Sequence, residues 1–146
     1  MVFIGSEFNE AVTVYQAADS HFVKLNPPGK IIWLEKVSRQ ETLSAFADCD
    51  VFVLSASFEA QPIVILEAMA YSKPWIARQA GCIGEFPGGI CVKNKRTMSM
   101  AMRQMASDPK LRKKLGEAGR TAIEAKYQLR QYKERFCQLV EDVVRK

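Results

Sequence analysis

The chain has 146 residues, of which 48% are hydrophobic, 25% charged and 10% aromatic, with a formal net charge of +5. This composition excludes a disordered tail, a collagen-like fibre and a disulfide-dense mini-protein, and the length suits one domain with an ordinary core. No apolar run approaches the ~20 residues that cross a bilayer, and the opening MVFIGSEFNE lacks the basic and long apolar regions of a secretory signal, so the chain reads as cytoplasmic.

Val2-Phe3-Ile4 is a short apolar run closed by Gly5-Ser6, which predicts a strand and a turn, and Phe8 to Ala18 carries apolar residues at helical spacing. His21 has no partner histidine or nucleophile nearby and reads as a surface or helix-end residue. The breaker Asn26-Pro27-Pro28-Gly29 precedes a second predicted strand, Ile31-Ile32-Trp33-Leu34. A helix is expected over Gln40 to Cys49, with Leu43, Phe46 and Ala47 on one side and Ser38 as its N-cap. Val51-Phe52-Val53-Leu54 is apolar at every position, as strands of a parallel sheet covered on both faces are.

Pro62 to Tyr71 predicts a helix whose opening proline suits a first turn. Trp75-Ile76-Ala77 and Ile90-Cys91-Val92 are further predicted strands, separated by the glycine-rich loop from Ala80 to Glu85. Beyond Lys93 the pattern predicts three helices, Thr97 to Ser107, Pro109 to Tyr127 and Leu129 to Arg145. Strands alternating with helices imply an α/β fold, a doubly wound parallel sheet, followed by C-terminal helices over about 97–145. With no repeat or linker, residues 1–146 read as a single domain. Met98, Met100, Met102 and Met105 lack the spacing of one helical face and are expected to serve packing.

Charge divides with the pattern. Residues 1–92 carry six Lys/Arg against ten Asp/Glu, and residues 93–146 carry fifteen against six, net −4 and net +9. A basic terminal third attracts anionic surfaces, although solvated basic helix faces are the commoner cause. No nucleic-acid-reading motif accompanies it, so an anionic membrane surface ranks above nucleic acid as a partner. Cys49, Cys82, Cys91 and Cys137 form no C-x-x-C pair, which leaves buried free thiols as the expectation and no metal site.

Parallel sheets of this class bind ligands at the carboxyl ends of their strands. Neither a dinucleotide-binding glycine fingerprint nor a phosphate-binding P-loop is present. The third strand is instead followed by Ser55-Ala56-Ser57-Phe58-Glu59-Ala60-Gln61-Pro62 and an apolar helix containing Glu67. Glu59 precedes the helix and Glu67 lies in its second turn, about 7–8 Å along the axis from Pro62. The helix N-terminus between these acids offers partial positive charge and N–H groups to a phosphate. Carboxylates on either side accept hydrogen bonds from hydroxyls, a pattern that suits ribose, pyrophosphate and hexose in sequence, which is a nucleotide sugar.

The Glu-x7-Glu spacing followed by Ala68-Met69-Ala70 resembles the signature of retaining GT-B glycosyltransferases of the family 4 type. Asp50 to Ser55, Lys73 to Ala77 and the glycine loop from Ala80 to Glu85 resemble further blocks of that family, and the likeness runs from Gly5 to about Tyr127. The resemblance implies a Rossmann-like C-terminal donor domain that transfers a hexosyl group, with retention, from a nucleotide-diphosphate sugar to a glycan or lipid-linked acceptor. The implied setting is polysaccharide biosynthesis, with no metal and no other cofactor.

By the same resemblance Glu59 is the catalytic residue and faces the transferred sugar, and Glu67 holds the ribose hydroxyls. Backbone groups of Ile63 and Val64 meet the diphosphate, Val37 and Ser38 lie against the nucleobase, and Gly5 is a further donor-binding residue. Where the family has E-G-F-G, this chain has Glu59-Ala60-Gln61-Pro62, so one N–H is lost and the Gln61 amide stands near its place. The chain begins at what resembles the family's second strand, without the preceding loop whose Arg and Lys grip the diphosphate. The expectation is therefore a truncated domain, inactive alone, partnered by a missing N-terminal acceptor domain and by the cytoplasmic membrane face. A non-catalytic Rossmann-like module that binds a nucleotide or a partner is the alternative.

Overall fold

The computed structural model describes residues 2–5 and 32–145. The helix expected over 8–18, His21 and the breaker at 26–29 lie outside the described residues. The chain forms two compact units that divide before Phe46.

In the first unit β1 (Val2–Gly5) pairs in parallel with β2 (Ile32–Glu35), from Val2 opposite Ile32 to Gly5 opposite Glu35. The chain leaves β2 through Lys36, whose φ of 53° makes a sharp turn. It then enters α1 (Arg39–Asp48), the helix within which the two units divide. Ser38 caps α1 as its sequence position predicts. Its hydroxyl accepts the Glu41 N–H at 3.2 Å, and its own N–H donates to the Glu41 carboxylate at 2.7 Å. The Ser38 N–H, and after it the Ser38 hydroxyl, favour the charged Glu41 carboxylate and hold it below its usual range.

In the second unit β3 (Phe52–Leu54), β4 (Trp75–Arg78) and β5 (Gly89–Val92) pair in parallel in that order. α2 (Ile63–Ala70) crosses from β3 to β4, and a single 3-10 turn at Ile83–Glu85 lies in the connection from β4 to β5. α3 (Lys95–Ser107), α4 (Pro109–Lys126) and α5 (Leu129–Val144) follow. The expected α/β class, parallel pairing and C-terminal helices are all present.

Alternation along β4 builds the core on both faces of this sheet. Trp75 and Ala77 join Ile65, Met69, Ile83, Phe86 and Ile123, so α2 and α4 cover that face. Ile76 joins Val92, Ala101 and Met105, so α3 covers the other. The buried indole of Trp75 satisfies its polar edge by donating to the Pro87 carbonyl at 3.0 Å. Gly116 brings α4 against the α2–β4 turn: a Cβ there would run into the Ser72 carbonyl.

The helices are joined through their ends. Asn94 and Thr97 form a reciprocal capping box at the start of α3. Asp108 ends α3 and caps α4 by accepting the Leu111 N–H at 2.9 Å, and Pro109 opens α4. Arg112 reaches back to donate to the Met105 and Ala106 carbonyls that end α3.

Several expectations fail at the level of burial. Ala47 is exposed although Phe46 beside it is buried. Val53 is 36% exposed, because β3 ends the three-stranded ladder and its second face is only partly covered. Met105 is buried and Met98 and Met102 pack against the same cluster, but Met100 is exposed. Of the four free cysteines, Cys49 and Cys82 are half-buried and Cys91 and Cys137 are exposed. Burial pushes the Cys49 thiol above its usual range, and partial desolvation of the sulfur moves that of the otherwise exposed Cys91 the same way.

Candidate functional site

The carboxyl ends of β3 and β4 lie side by side, since Leu54 pairs with Ala77 and Arg78 is the next residue. From Leu54 a loop over 55–62 leads into α2, and it carries most of the predicted site. Three contacts from the β4 side hold this loop. The Arg78 guanidinium donates to the Ser57 hydroxyl at 2.6 Å. The Cys82 N–H donates to the Ala60 carbonyl at 3.1 Å. Gly81, at a φ of +47°, lies so close that a Cβ would collide with the carbonyls of Glu59 and Ala60. The glycine-rich loop thus acts as a backing plate for Glu59.

Glu59 is half-buried in this loop, flanked by Phe58, which is 97% exposed, and followed by exposed Gln61. Pro62 is buried and occupies the N-cap position of α2, where it supplies no side-chain cap. An α-helix leaves its first N–H groups without partners inside the helix, so those of Ile63 and Val64 face the entrance of α2 uncapped by Pro62. Ile63 is 67% exposed there. Glu67 lies four residues after Ile63, on the same helix face and away from Ile65 and Met69, which turn into the core. The residue is half-buried, and its Oε2 is shielded from solvent.

The structure therefore brings Glu59, Gln61, Ile63, Val64 and Glu67 onto one loop–helix segment. Gly5, Val37 and Ser38 belong to the first unit. Gly5 closes β1 opposite Glu35, Val37 is half-buried after β2, and Ser38 is engaged in the α1 cap. Sequence reasoning missed Arg78 and Ser57. The available signal was an arginine directly after the apolar run Trp75-Ile76-Ala77, at the end of a strand where ligands of this class bind. A shallow concavity lies elsewhere, between β5 and α3, lined by Ile90, Val92, Thr97, Met100 and Ala101. It is largely apolar and contains none of the candidate acids.

This arrangement, two acids about a helix entrance at the carboxyl end of a parallel sheet, accompanies a sequence match. The glycosyl transferases group 1 profile matches residues 2–122. The chain belongs to that family. No curated protein sequence matches it. Among solved structures, this group 1 chain is similar to sucrose-phosphate synthase from Thermosynechococcus elongatus, at 18% identity over 98% of this chain and 38% of that one, with a TM-score of 0.75. It is similar to the C-terminal domain of a glycosyl transferase group 1 family protein (LpcC) from Francisella tularensis, at 24% identity over 88% and 69%, with a TM-score of 0.74. It is also similar to Anabaena Alr3699/HepE in complex with UDP, at 16% identity over 97% and 40%, with a TM-score of 0.79.

These likenesses establish a shared Rossmann-like fold of the GT-B C-terminal type. The group 1 chain spans less than half the length of the first and third of these proteins.

Proposed function

We propose that this chain is the donor-binding part of a glycosyltransferase, taking a nucleotide-diphosphate sugar and passing its hexosyl group, with retention, to a glycan or lipid-linked acceptor. The observation that carries the reading is the pair Glu59 and Glu67 about the N-terminus of α2, a helix with no side-chain cap. Membership of the group 1 family supports it, as do the structures of the Anabaena relative with UDP-glucose and with UDP.

In this reading the diphosphate rests against the N–H groups of Ile63 and Val64, where the helix dipole favours negative charge. Glu67, an acceptor-only carboxylate, takes both ribose hydroxyls, and Glu59 faces the hexosyl group. Pro62 donates no N–H, so the Gln61 amide supplies the missing donor. Val37 and Ser38 lie against the nucleobase, with Gly5 beside the donor. As the glycosidic bond breaks, charge on the departing diphosphate is met by oriented N–H groups and basic side chains, without a metal. An acceptor-binding domain supplies the other half of the cleft. The basic segment from Lys93 onward draws the assembly to anionic lipid on the cytoplasmic face, and liposome co-sedimentation with anionic against neutral vesicles tests that part.

Calorimetry tests the ribose clamp. Two hydrogen bonds to a charged acceptor are together worth about 3 kcal/mol, so Glu67→Ala is expected to weaken UDP-glucose, or whichever donor binds, by about 100-fold. Unchanged affinity would refute the assignment. A second reading, a nucleotide-binding module without chemistry, is favoured by Pro62, which removes a backbone donor at the helix entrance. It predicts nucleotide binding with no sugar transfer even when an acceptor-binding domain is joined to the chain.

A further inference from the structure

We propose that Arg78 is the cation that this chain brings to the diphosphate of the donor, a role that rests on the donor-binding reading. Two features point to it. The first is position. β4 adjoins β3, and Arg78 stands one residue beyond the Leu54–Ala77 pair, where the loop that becomes the α2 entrance departs. Lys93, Lys95 and Arg96 lie one strand further away, beyond β5.

The second feature is how the charge is engaged. Four other arginines of this unit are spent on the fold, and Arg96, Arg103 and Arg135 stand on the C-terminal helices α3 and α5, away from the β3 and β4 ends. Arg112 donates to the carbonyls of Met105 and Ala106, Arg120 to Ala70 and Glu124, and Arg130 and Arg145 pair with Glu134 and Glu141. Arg78 has no carboxylate in ion-pair range among the described residues. Its one hydrogen bond there goes to a neutral hydroxyl, Ser57, two residues before Glu59.

That bond orients the guanidinium and leaves its charge uncompensated. A guanidinium has five N–H donors in a rigid fork, so one bond to Ser57 leaves a pair for two phosphate oxygens. The same bond ties the loop that carries Glu59 to the strand end. An anion at the α2 entrance therefore meets helix N–H groups on one side and a fixed cation on the other.

Calorimetry on the 146-residue chain tests this, with UDP, GDP and ADP each compared with its nucleoside, in low and moderate salt. For the diphosphate that binds, R78Q is expected to lose about tenfold or more in affinity, with a weaker salt dependence, while the nucleoside binds as before. R78K keeps the charge without the fork and falls between. Arg78 is exposed, so both variants are expected to melt as the wild type does. If R78Q binds the diphosphate as tightly as the wild type, Arg78 is not the cation and the donor reading survives. If R78Q loses diphosphate and nucleoside equally, Arg78 acts through the loop alone and the proposal falls. If the wild type binds none of the three diphosphates, the proposal falls together with the reading beneath it.

Discussion

α4 and α5 are consecutive helices of similar length, both amphipathic and both laced with ion pairs four residues apart, yet they are built into the molecule differently. α4 buries Gly116, Gly119 and Ile123, and its Leu111 and Leu115 pack against the cluster around Ile76. α5 buries nothing. Leu129, Tyr132, Phe136, Leu139 and Val143 repeat every three or four residues along one face, and all are more than half exposed.

The difference lies in what faces each helix. α4 lays small residues against the α2–β4 turn, so its backbone comes close enough to share a core. Among the described residues, the stripe on α5 has no such surface opposite it. That helix is held by local terms: the pairs Arg130–Glu134 and Arg145–Glu141, the Gln138–Asp142 bond and the stacked rings of Tyr132 and Phe136. Each such pair contributes about 0.2–0.5 kcal/mol. An amphipathic period states that a helix has a face; a packed core is a separate achievement.

The comparison breaks most visibly at Trp75. Its ring is 1% exposed and lies in the cluster that α2 and α4 cover. Trp75→Ala is expected to cost about 4 kcal/mol in urea unfolding followed by circular dichroism, and a cost under 1 kcal/mol would mean that this face is not the core.

Gly116→Ala probes the α4 contact directly. On helix propensity alone alanine would gain about 1 kcal/mol, but its Cβ meets the Ser72 carbonyl, which is backbone and yields little. A net loss of about 2 kcal/mol is expected. A gain would show that α4 stands further from the turn than the structure has it.

How much of this was legible in the sequence follows the same division. Unbroken apolar runs marked β3 and β4, and the strands came out within a residue or so of their expected limits, because hydrophobic pattern and local breakers are properties of the chain itself. Ser38 was recognisable as a cap, since a capping box needs only Ser38 and Glu41 three residues apart. The bond between Arg78 and Ser57 spans 21 positions and depends on β3 and β4 lying side by side, so no local pattern announces it. Exposure at Val53, Ala47 and the α5 stripe was equally hidden, because burial belongs to the surface opposite a residue. For the candidate site, the spacing of Glu59 and Glu67 was plain, whereas the backing of Glu59 by Gly81 emerged only once the glycine-rich loop was folded against it.

Phe136 gives the smallest and sharpest test of the contrast. Its side chain is 55% exposed, and among the described residues its one ring neighbour is Tyr132, at 6.3 Å between centroids. Replacing a core aromatic with a small polar residue would cost several kcal/mol, whereas here little more than the stack and some helix propensity is at stake. Phe136→Ser is therefore expected to lower the unfolding free energy of the 146-residue chain by no more than about 0.5 kcal/mol, a correspondingly small shift of the urea transition. A loss of 2 kcal/mol or more, measured on the same urea curves as Trp75→Ala, would mean that the α5 stripe is covered in solution. The helix would then belong to a packed layer, and the distinction between α4 and α5 would disappear.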